Sequence, residues 1–349
     1  MKKLWKGNEA IAEAAIAAGC RYFFGYPITP QNEIPEYLSW RMPEVGGAFI
    51  QAESEVSAIN MVYGAGGAGG RVMTSSSSPG ISLKMEGISY CAGAEIPCVI
   101  VNISRAGPGL GGIQPAQGDY FQAVKGGGHG DYRCLVYAPS SIQELTDITV
   151  KAFDKADEYR SPVMIISDGL LGQMMEPAEI PPMRDLKTLP KKDWAATGNT
   201  DFKRRVIDSI RINAEELEKH NHLLAAKYES MKKDIEVEKY MTDDAEVVLV
   251  AYGSVARITK AAVNSLRKDG IKAGLIRPIT LFPYPSDTIA KVAAQACVKK
   301  FVAVELSMGQ MVEDVKLSVN GAKPVEFFGR AGGIVMVPGE IVKYVKGGK

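Results

Sequence analysis

Residues 97–103 read Pro-Cys-Val-Ile-Val-Asn-Ile, an almost unbroken apolar run rich in β-branched residues. A strand with one face in water alternates apolar and polar residues; a strand covered on both faces does not. The run therefore demands layers on both sides of its sheet, the arrangement of a parallel sheet under helices. Flanking segments repeat the pattern. Residues 8–18 read as a helix that Asn8 caps and Gly19 ends. Strands are expected at Tyr22–Phe24, about 48–52, Arg71–Thr74, Cys134–Tyr137 and Val163–Ser167. Helices are expected after Glu55, from the 75–80 loop to Gly93, and over Ile142–Asp157.

A second α/β pattern starts near residue 246. Strands are expected at Val247–Tyr252, Lys272–Arg277 and Lys300–Glu305, with helices at about 255–267 and 286–296. Between the two patterns lie four prolines (Pro177, Pro181, Pro182, Pro190) and a stretch of mixed charge with helical spacing at 214–231. It reads as a solvated surface excursion, because both signs of charge are interspersed. The chain thus divides into an α/β domain at 1–180, a charged connecting segment at 181–243 and a second α/β domain at 244–349. Two domains are what 349 residues lead one to expect.

Composition removes several function classes. Lys and Arg total 41 and Asp and Glu 40, a net charge of +1, which is unlike a nucleic-acid binder or a polybasic membrane-surface protein. No membrane span is read, and the N-terminus lacks the apolar core of a signal peptide. Five scattered cysteines with no Cys-x-x-Cys fit a reduced, cytoplasmic protein and cannot by themselves ligate an iron–sulfur cluster. With three histidines, no metal site is expected in this chain. Glycine is the excess: 36 of 349 residues, about 10% against a typical ~7%.

Several loops follow directly on strands, where open α/β sheets bind ligands. They are Gly25-Tyr26-Pro27-Ile28-Thr29-Pro30, Glu53-Ser54-Glu55, four serines at 75–78 before Pro79-Gly80, and Asn102-Ile103-Ser104-Arg105. The glycine-rich Gly107–Gly112 loop has the spacing of neither a phosphate loop nor a dinucleotide fingerprint.

Tyr26-Pro27-Ile28-Thr29-Pro30, Ser54-Glu55, the serines of 75–80, Ser104-Arg105, Gln117-Gly118-Asp119 and Gly128-His129-Gly130-Asp131 follow one another in order. This series resembles the alpha subunit of thiamine-diphosphate-dependent 2-oxoacid:ferredoxin oxidoreductases. The likeness continues through Arg277-Pro278-Ile279-Thr280-Leu281-Phe282-Pro283. It is nearest to the branched-chain, 3-methyl-2-oxobutanoate (2-ketoisovalerate) branch. It implies a pyrimidine-binding α/β domain followed by a transketolase-C-terminal-like α/β domain. The family's diphosphate domain carries Gly-Asp-Gly and a following Asn. Asp119, Asp131 and Asp168 stand in other contexts. The resemblance therefore implies that a beta subunit supplies the diphosphate and Mg²⁺ ligands. A gamma subunit and a ferredoxin-like delta subunit would complete the complex, iron–sulfur clusters would lie on partners, CoA would take the acyl group and ferredoxin the electrons.

By the same resemblance Glu55 is the catalytic carboxylate at the pyrimidine N1′, where it favours the cofactor's imino tautomer. Its neighbours Val56, Ala58 and Ile59 are apolar, and burial raises a carboxyl pKa, while a helix N-terminus lowers it. Tyr26, Pro27, Ile28, Ser77 and Ser78 would line the cofactor, and Thr29 and Arg105 would hold the substrate carboxylate, for which an arginine fork is suited. Gly128, His129 and Asp131 form a loop that either edges the active site or is simply exposed. Three alternatives stand: a 2-oxoglutarate oxidoreductase alpha subunit, another thiamine-dependent enzyme such as a transketolase or a lipoamide-feeding dehydrogenase, and a non-catalytic scaffold subunit.

Overall fold

The computed structural model describes residues 2–198 and 203–348. The first part runs β1 (Lys3–Lys6), α1 (Gly7–Ala17), β2 (Tyr22–Gly25), α2 (Glu33–Glu44), β3 (Ala48–Gln51), α3 (Glu55–Gly67) and β4 (Val72–Ser76). It continues through α4 (Ser78–Gly93), β5 (Cys98–Ser104), α5 (Tyr120–Val124), β6 (Leu135–Tyr137), α6 (Ile142–Tyr159), β7 (Pro162–Asp168), α7 (Gly169–Gln173) and β8 (Met175–Ala178). After α8 (Ala214–Ser230) come β9 (Val237–Tyr240), β10 (Val247–Val250), α9 (Gly253–Lys268), β11 (Ala273–Pro278), β12 (Thr280–Phe282) and α10 (Ser286–Ala293). The last elements are β13 (Lys300–Glu305), α11 (Met311–Val319), β14 (Val325–Gly329) and α12 (Pro338–Val345).

The first sheet has seven strands in the order β12-β6-β7-β5-β4-β2-β3, all parallel except β12. Strand β5 lies at its centre and is buried along its whole length, as its unbroken apolar run predicts. Val99, Val101 and Ile103 pack into a core with Ile11, Ile16, Leu38 and Phe153 on one face. Cys98 and Ile100 point the other way, to Ile59, Val62, Ile81 and Ile88 of α3 and α4. The second sheet has the order β14-β13-β10-β11-β9, parallel except β9. Val248, Val250 and Ile276 of this sheet belong to the same buried cluster as α3 and α4. The two sheets therefore share one core. Among the described residues no helix is long and apolar enough to cross a membrane.

Several elements differ from the sequence expectation. Asn8 does not cap α1; Lys6 occupies the cap position without a side-chain bond. The buried Asn8 amide instead donates to Pro30 O (2.8 Å) and Glu33 Oε2 (2.7 Å), because β1 runs straight into the helix and leaves no room for a turn. Helix α2 adds an element between the first loop and β3 that the sequence reading does not include, and it contains Pro35 and Pro43. Pro35 lies in the first turn, where its missing N–H costs nothing, and Ile34, Leu38 and Met42 give a buried i, i+4, i+8 stripe. The mixed-charge stretch is solvated on its outer face only: Leu224 and Tyr228 of α8 enter the first core, and His220 Nε2 bonds Gly93 O at 2.8 Å. Both sheets carry one antiparallel edge strand, so neither is wholly parallel.

Candidate active site

Strands β2, β3, β4, β5 and β7 are parallel neighbours, so their carboxyl ends form one edge. That edge gathers the predicted residues: Tyr26–Thr29 after β2, Glu55 after β3, Ser77 and Ser78 after β4, and Arg105 after β5.

Glu55 is the first residue of α3, whose cap, Ser54, accepts from the Ser57 N–H at 3.2 Å. Its side chain is 6% exposed. It leans against the first turn of α4, where a β-carbon on Gly80 would stand 2.6 Å from Glu55 Oε1 and 2.1 Å from Ser76 Oγ. The backbone of Gly80 is not in the left-handed region, so glycine is needed there for space and not for conformation. Among the described residues the Glu55 carboxylate has no hydrogen-bond partner, and the buried Ser76 and Ser77 hydroxyls have none either. A buried polar atom without a partner costs about 1–3 kcal/mol. Two of them, beside a largely buried carboxylate that the missing side chain of Gly80 lets approach the start of α4, suit a flat, polar heterocycle that can both donate and accept. The aminopyrimidine of thiamine diphosphate is such a ring.

Lys84 lies one turn beyond Gly80 on α4 and is fully buried. Its ammonium donates to Thr74 Oγ1 at 3.0 Å. Burial pushes its pKa down to about 8, and the nearby Glu55 charge opposes that fall.

Ser78 and Ser77 are adjacent but differ. The Ser78 hydroxyl donates to Asp119 Oδ2 (2.6 Å) and accepts from the Arg105 backbone N–H (2.9 Å). Asn102 Nδ2 (2.8 Å) and Ser104 Oγ (3.0 Å) donate to that same Asp119 oxygen. This knot ties the start of α4 to the end of β5. Ser78 is thereby engaged within the protein, while Ser77 is free to meet a ligand.

Arg105 is brought to Thr29. Its Nη1 donates to Thr29 O (2.9 Å) and its Nη2 to Leu110 O (3.1 Å), while the buried Nε has no partner. The Thr29 loop is held from below, since Gln173 Nε2 and Asn8 Nδ2 both donate to Pro30 O. Gln31 Nε2 holds the Tyr26 carbonyl at 3.3 Å, while Tyr26 itself is partly exposed. Pro27 and Ile28 complete the loop. A cavity of about 680 Å³ opens beside Thr29, bounded by Glu33, Gln114, Leu170 and Gln173, with Val335 closing it from the second domain.

His129 is placed elsewhere. Its ring meets Tyr90 edge-on at 5.9 Å, and its carbonyl accepts from Ser89 Oγ. Ser89 lies eleven residues along α4 from Ser78, roughly 16 Å at 1.5 Å per residue. Gly128 packs on Met85, and Asp131 is exposed. The loop thus flanks the middle of α4 and does not join Glu55 and Arg105. Gly80 belongs to the 75–80 strand-end loop expected to meet a ligand, and Asp119 appears in the sequence only as part of the Gln-Gly-Asp of the ordered motifs. Lys84 was not singled out; its available signal was a lysine at a core-facing position between Ile81 and Ile88.

Residues 13–242 match the family described as pyruvate flavodoxin/ferredoxin oxidoreductase, thiamine diphosphate-binding, and residues 245–341 match pyruvate:ferredoxin oxidoreductase core domain II. The chain is 51% identical to the ketoisovalerate oxidoreductase subunit VorB of Methanothermobacter marburgensis, over 98% of this chain and 96% of that protein. It is 36% identical to the 2-oxoglutarate synthase subunit KorA of the same organism, over 99% and 98%. Among solved structures, the 2-oxoglutarate:ferredoxin oxidoreductase of Magnetococcus marinus, with 2-oxoglutarate, coenzyme A and succinyl-CoA bound, superposes with a TM-score of 0.85 at 26% identity. That match covers 99% of this chain and spans 65% of the other.

Proposed function

Because this chain belongs to the pyruvate flavodoxin/ferredoxin oxidoreductase family as an alpha-type 2-oxoacid oxidoreductase subunit, we propose that it supplies the pyrimidine half of a thiamine diphosphate site that a beta subunit completes. The reaction is the CoA-dependent oxidative decarboxylation of a 2-oxo acid to acyl-CoA and CO₂, with electrons passed to ferredoxin. The substrate is 3-methyl-2-oxobutanoate, supported by 51% identity to a ketoisovalerate subunit against 36% to a 2-oxoglutarate subunit. The observation that supports the reading is the largely buried Glu55 carboxylate packed against Gly80 beside the unpartnered Ser76 and Ser77 hydroxyls.

When bound, thiamine diphosphate supplies the nucleophilic carbon and the electron sink. Glu55 would hold the pyrimidine ring by a proton shared at its carboxylate, Ser76 and Ser77 would supply hydroxyls to it, and Tyr26, Pro27 and Ile28 would shield it from water. Arg105, with three of its five N–H groups still free, grips the substrate carboxylate together with the Thr29 hydroxyl. The beta subunit brings diphosphate and Mg²⁺ ligands; gamma and delta subunits bring the remaining contacts and the iron–sulfur relay.

Rates of the reconstituted complex on 3-methyl-2-oxobutanoate, 2-oxoglutarate and pyruvate, with CoA and a viologen acceptor, test the substrate. The highest kcat/KM is expected on 3-methyl-2-oxobutanoate; a higher value on 2-oxoglutarate overturns that choice. The isolated chain with cofactor and Mg²⁺ should not turn over, and activity from it would refute the shared site.

A further inference from the structure

Residues 117–121 join the two α/β units. Gln117 pairs with Leu306, its N–H donating to Leu306 O (2.8 Å) and its Oε1 accepting from the Leu306 N–H (3.1 Å). Gln310, just before α11, clamps the next turn: its Nε2 donates to Gly118 O (2.7 Å) and its Oε1 accepts from the Phe121 N–H (2.8 Å). The Tyr120 hydroxyl donates to Asp314 Oδ2 of α11 at 2.6 Å. Gln310 is itself seated, since its backbone N–H donates at 3.0 Å to Glu305, a fully buried carboxylate at the end of β13. Among the described residues the Asp119 side chain alone of this segment bonds toward the first unit. Its three donors, Ser78, Asn102 and Ser104, bracket the peptide from which Arg105 projects. Ser104 immediately precedes Arg105, and Ser78 Oγ accepts from the Arg105 N–H.

We propose that Asp119 is a positioning residue that sets Arg105 for the substrate carboxylate, and that Gln310 of the second unit holds Asp119 in place. The inference rests on the assignment of Arg105 to that carboxylate. Hydrogen bonds to an ionised oxygen are short and strong, so one Asp119 oxygen with three donors fixes the root of the arginine firmly. The Thr29 and Leu110 carbonyls fix its far end. A forked grip depends on direction as well as charge, and a shift of the root turns the fork away from its ligand. The second unit thereby acts on substrate binding through a chain of hydrogen bonds that runs from Glu305 to Arg105. An aspartate that merely joined α4 to β5 would serve stability and leave substrate binding untouched.

The test is a double-mutant cycle in the assembled complex, read as initial rates on the 2-oxo acid that the wild type turns over best, with CoA and a viologen acceptor. Asp119→Ala should lower kcat/KM about 10-fold or more, chiefly through KM, since a misplacement approaching 1 Å costs on the order of 100-fold. Gln310→Ala, one step further from the arginine, should raise KM about threefold. In an Arg105→Gln background no fork remains to be aimed, and each change should then alter kcat/KM by less than about twofold. Effects that multiply in full in both backgrounds, or a wild-type KM in Asp119→Ala, would overturn the proposal and leave a structural aspartate. A wild-type KM in Gln310→Ala would overturn the part given to the second unit. Should Asp119→Ala fail to assemble, Gln310→Ala is read in its place by the same cycle. A wild-type KM in Arg105→Gln alone would instead refute the Arg105 assignment, so the two failures are distinguishable.

Discussion

Gly80→Ala isolates the geometry of the Glu55 pocket. The added carbon would lie 2.1 Å from Ser76 Oγ and 2.6 Å from Glu55 Oε1. Carbon–oxygen contacts settle at about 3.3–3.6 Å, so the hydroxyl must retreat by about 1.2 Å and the carboxylate by about 0.7 Å. The serine can rotate away at little cost. The Glu55 side chain must move as well, because its Cγ would also lie only 3.1 Å from the added carbon, and with it the carboxylate leaves its place. Two stability terms oppose each other. Alanine favours a helix over glycine by about 1 kcal/mol, while overpacking costs about 1–3 kcal/mol. The net change in unfolding free energy is therefore a loss of no more than about 2 kcal/mol, which leaves a folded, assembled complex. Activity should respond far more, since a misplacement approaching 1 Å at a catalytic group costs on the order of 100-fold, about 2.7 kcal/mol in the barrier. Steady-state turnover and thiamine diphosphate titration of the variant complex, alongside chemical denaturation, separate the two effects. Turnover and cofactor affinity within about twofold of wild type would refute the pocket.

Three further outcomes are expected. Ser78→Ala should cost about 1–2 kcal/mol of stability, by removing bonds to Asp119 and the Arg105 N–H, whereas Ser77→Ala should leave stability unchanged and weaken cofactor binding; denaturant melts and cofactor titrations compare the pair. Arg105→Lys should raise KM for the 2-oxo acid about 10-fold or more with a smaller change in kcat, because a point charge cannot reproduce the fork that also holds the Thr29 and Leu110 carbonyls; initial-rate kinetics read the split. Glu144→Gln should destabilise the junction between the domains by about 1–3 kcal/mol, since Arg277 donates to both Glu144 oxygens at 2.7 and 2.9 Å. Burial drives the Glu144 pKa upward, but the Arg277 fork outweighs it and holds the carboxyl below its ordinary value. The stability difference between wild type and variant should therefore be full above pH about 4.3 and shrink as pH falls below it, as denaturation at pH 7 and pH 3.5 would show.

What the sequence revealed and what it hid follow one division. Local signals were legible: the β-branched run of β5, the glycine that ends α1, and the start of α3 at Glu55 each depend on neighbours within a few residues. The loops that carry Thr29, Glu55, Ser77 and Arg105 were legible as strand ends, and parallel pairing alone gathers them on one edge. Helix α2 was hidden because proline signals a break, and its tolerance at these two positions depends on where the helix begins. The difference between Ser77 and Ser78 was hidden in identical neighbours; it arises from Asp119, forty-one residues away from Ser78. Lys84 carried a local signal in its core-facing place between Ile81 and Ile88, but the Thr74 hydroxyl that receives its ammonium lies on another strand and was hidden. Pairings between distant segments, such as β1 with β8 and β12 with β6, leave no periodic trace at all.

Strand β12 has a further consequence for how such enzymes can be recombined. Although it belongs to the second α/β unit in chain order, it is the edge of the first sheet, with Thr280 opposite Tyr137 and Phe282 opposite Val136. Gln117 adds a second stitch, pairing with Leu306 through its backbone and side chain and donating to the Tyr252 carbonyl. A chimera that exchanges everything after residue 244 with a relative of different substrate preference would therefore replace a strand of the donor-independent half as well. The graft would have to bring residues opposite Val136 and Tyr137 that fit the recipient, or be cut on both sides of 280–282. Exchangeable modules in this architecture are bounded by sheet registry and not by the order of the chain.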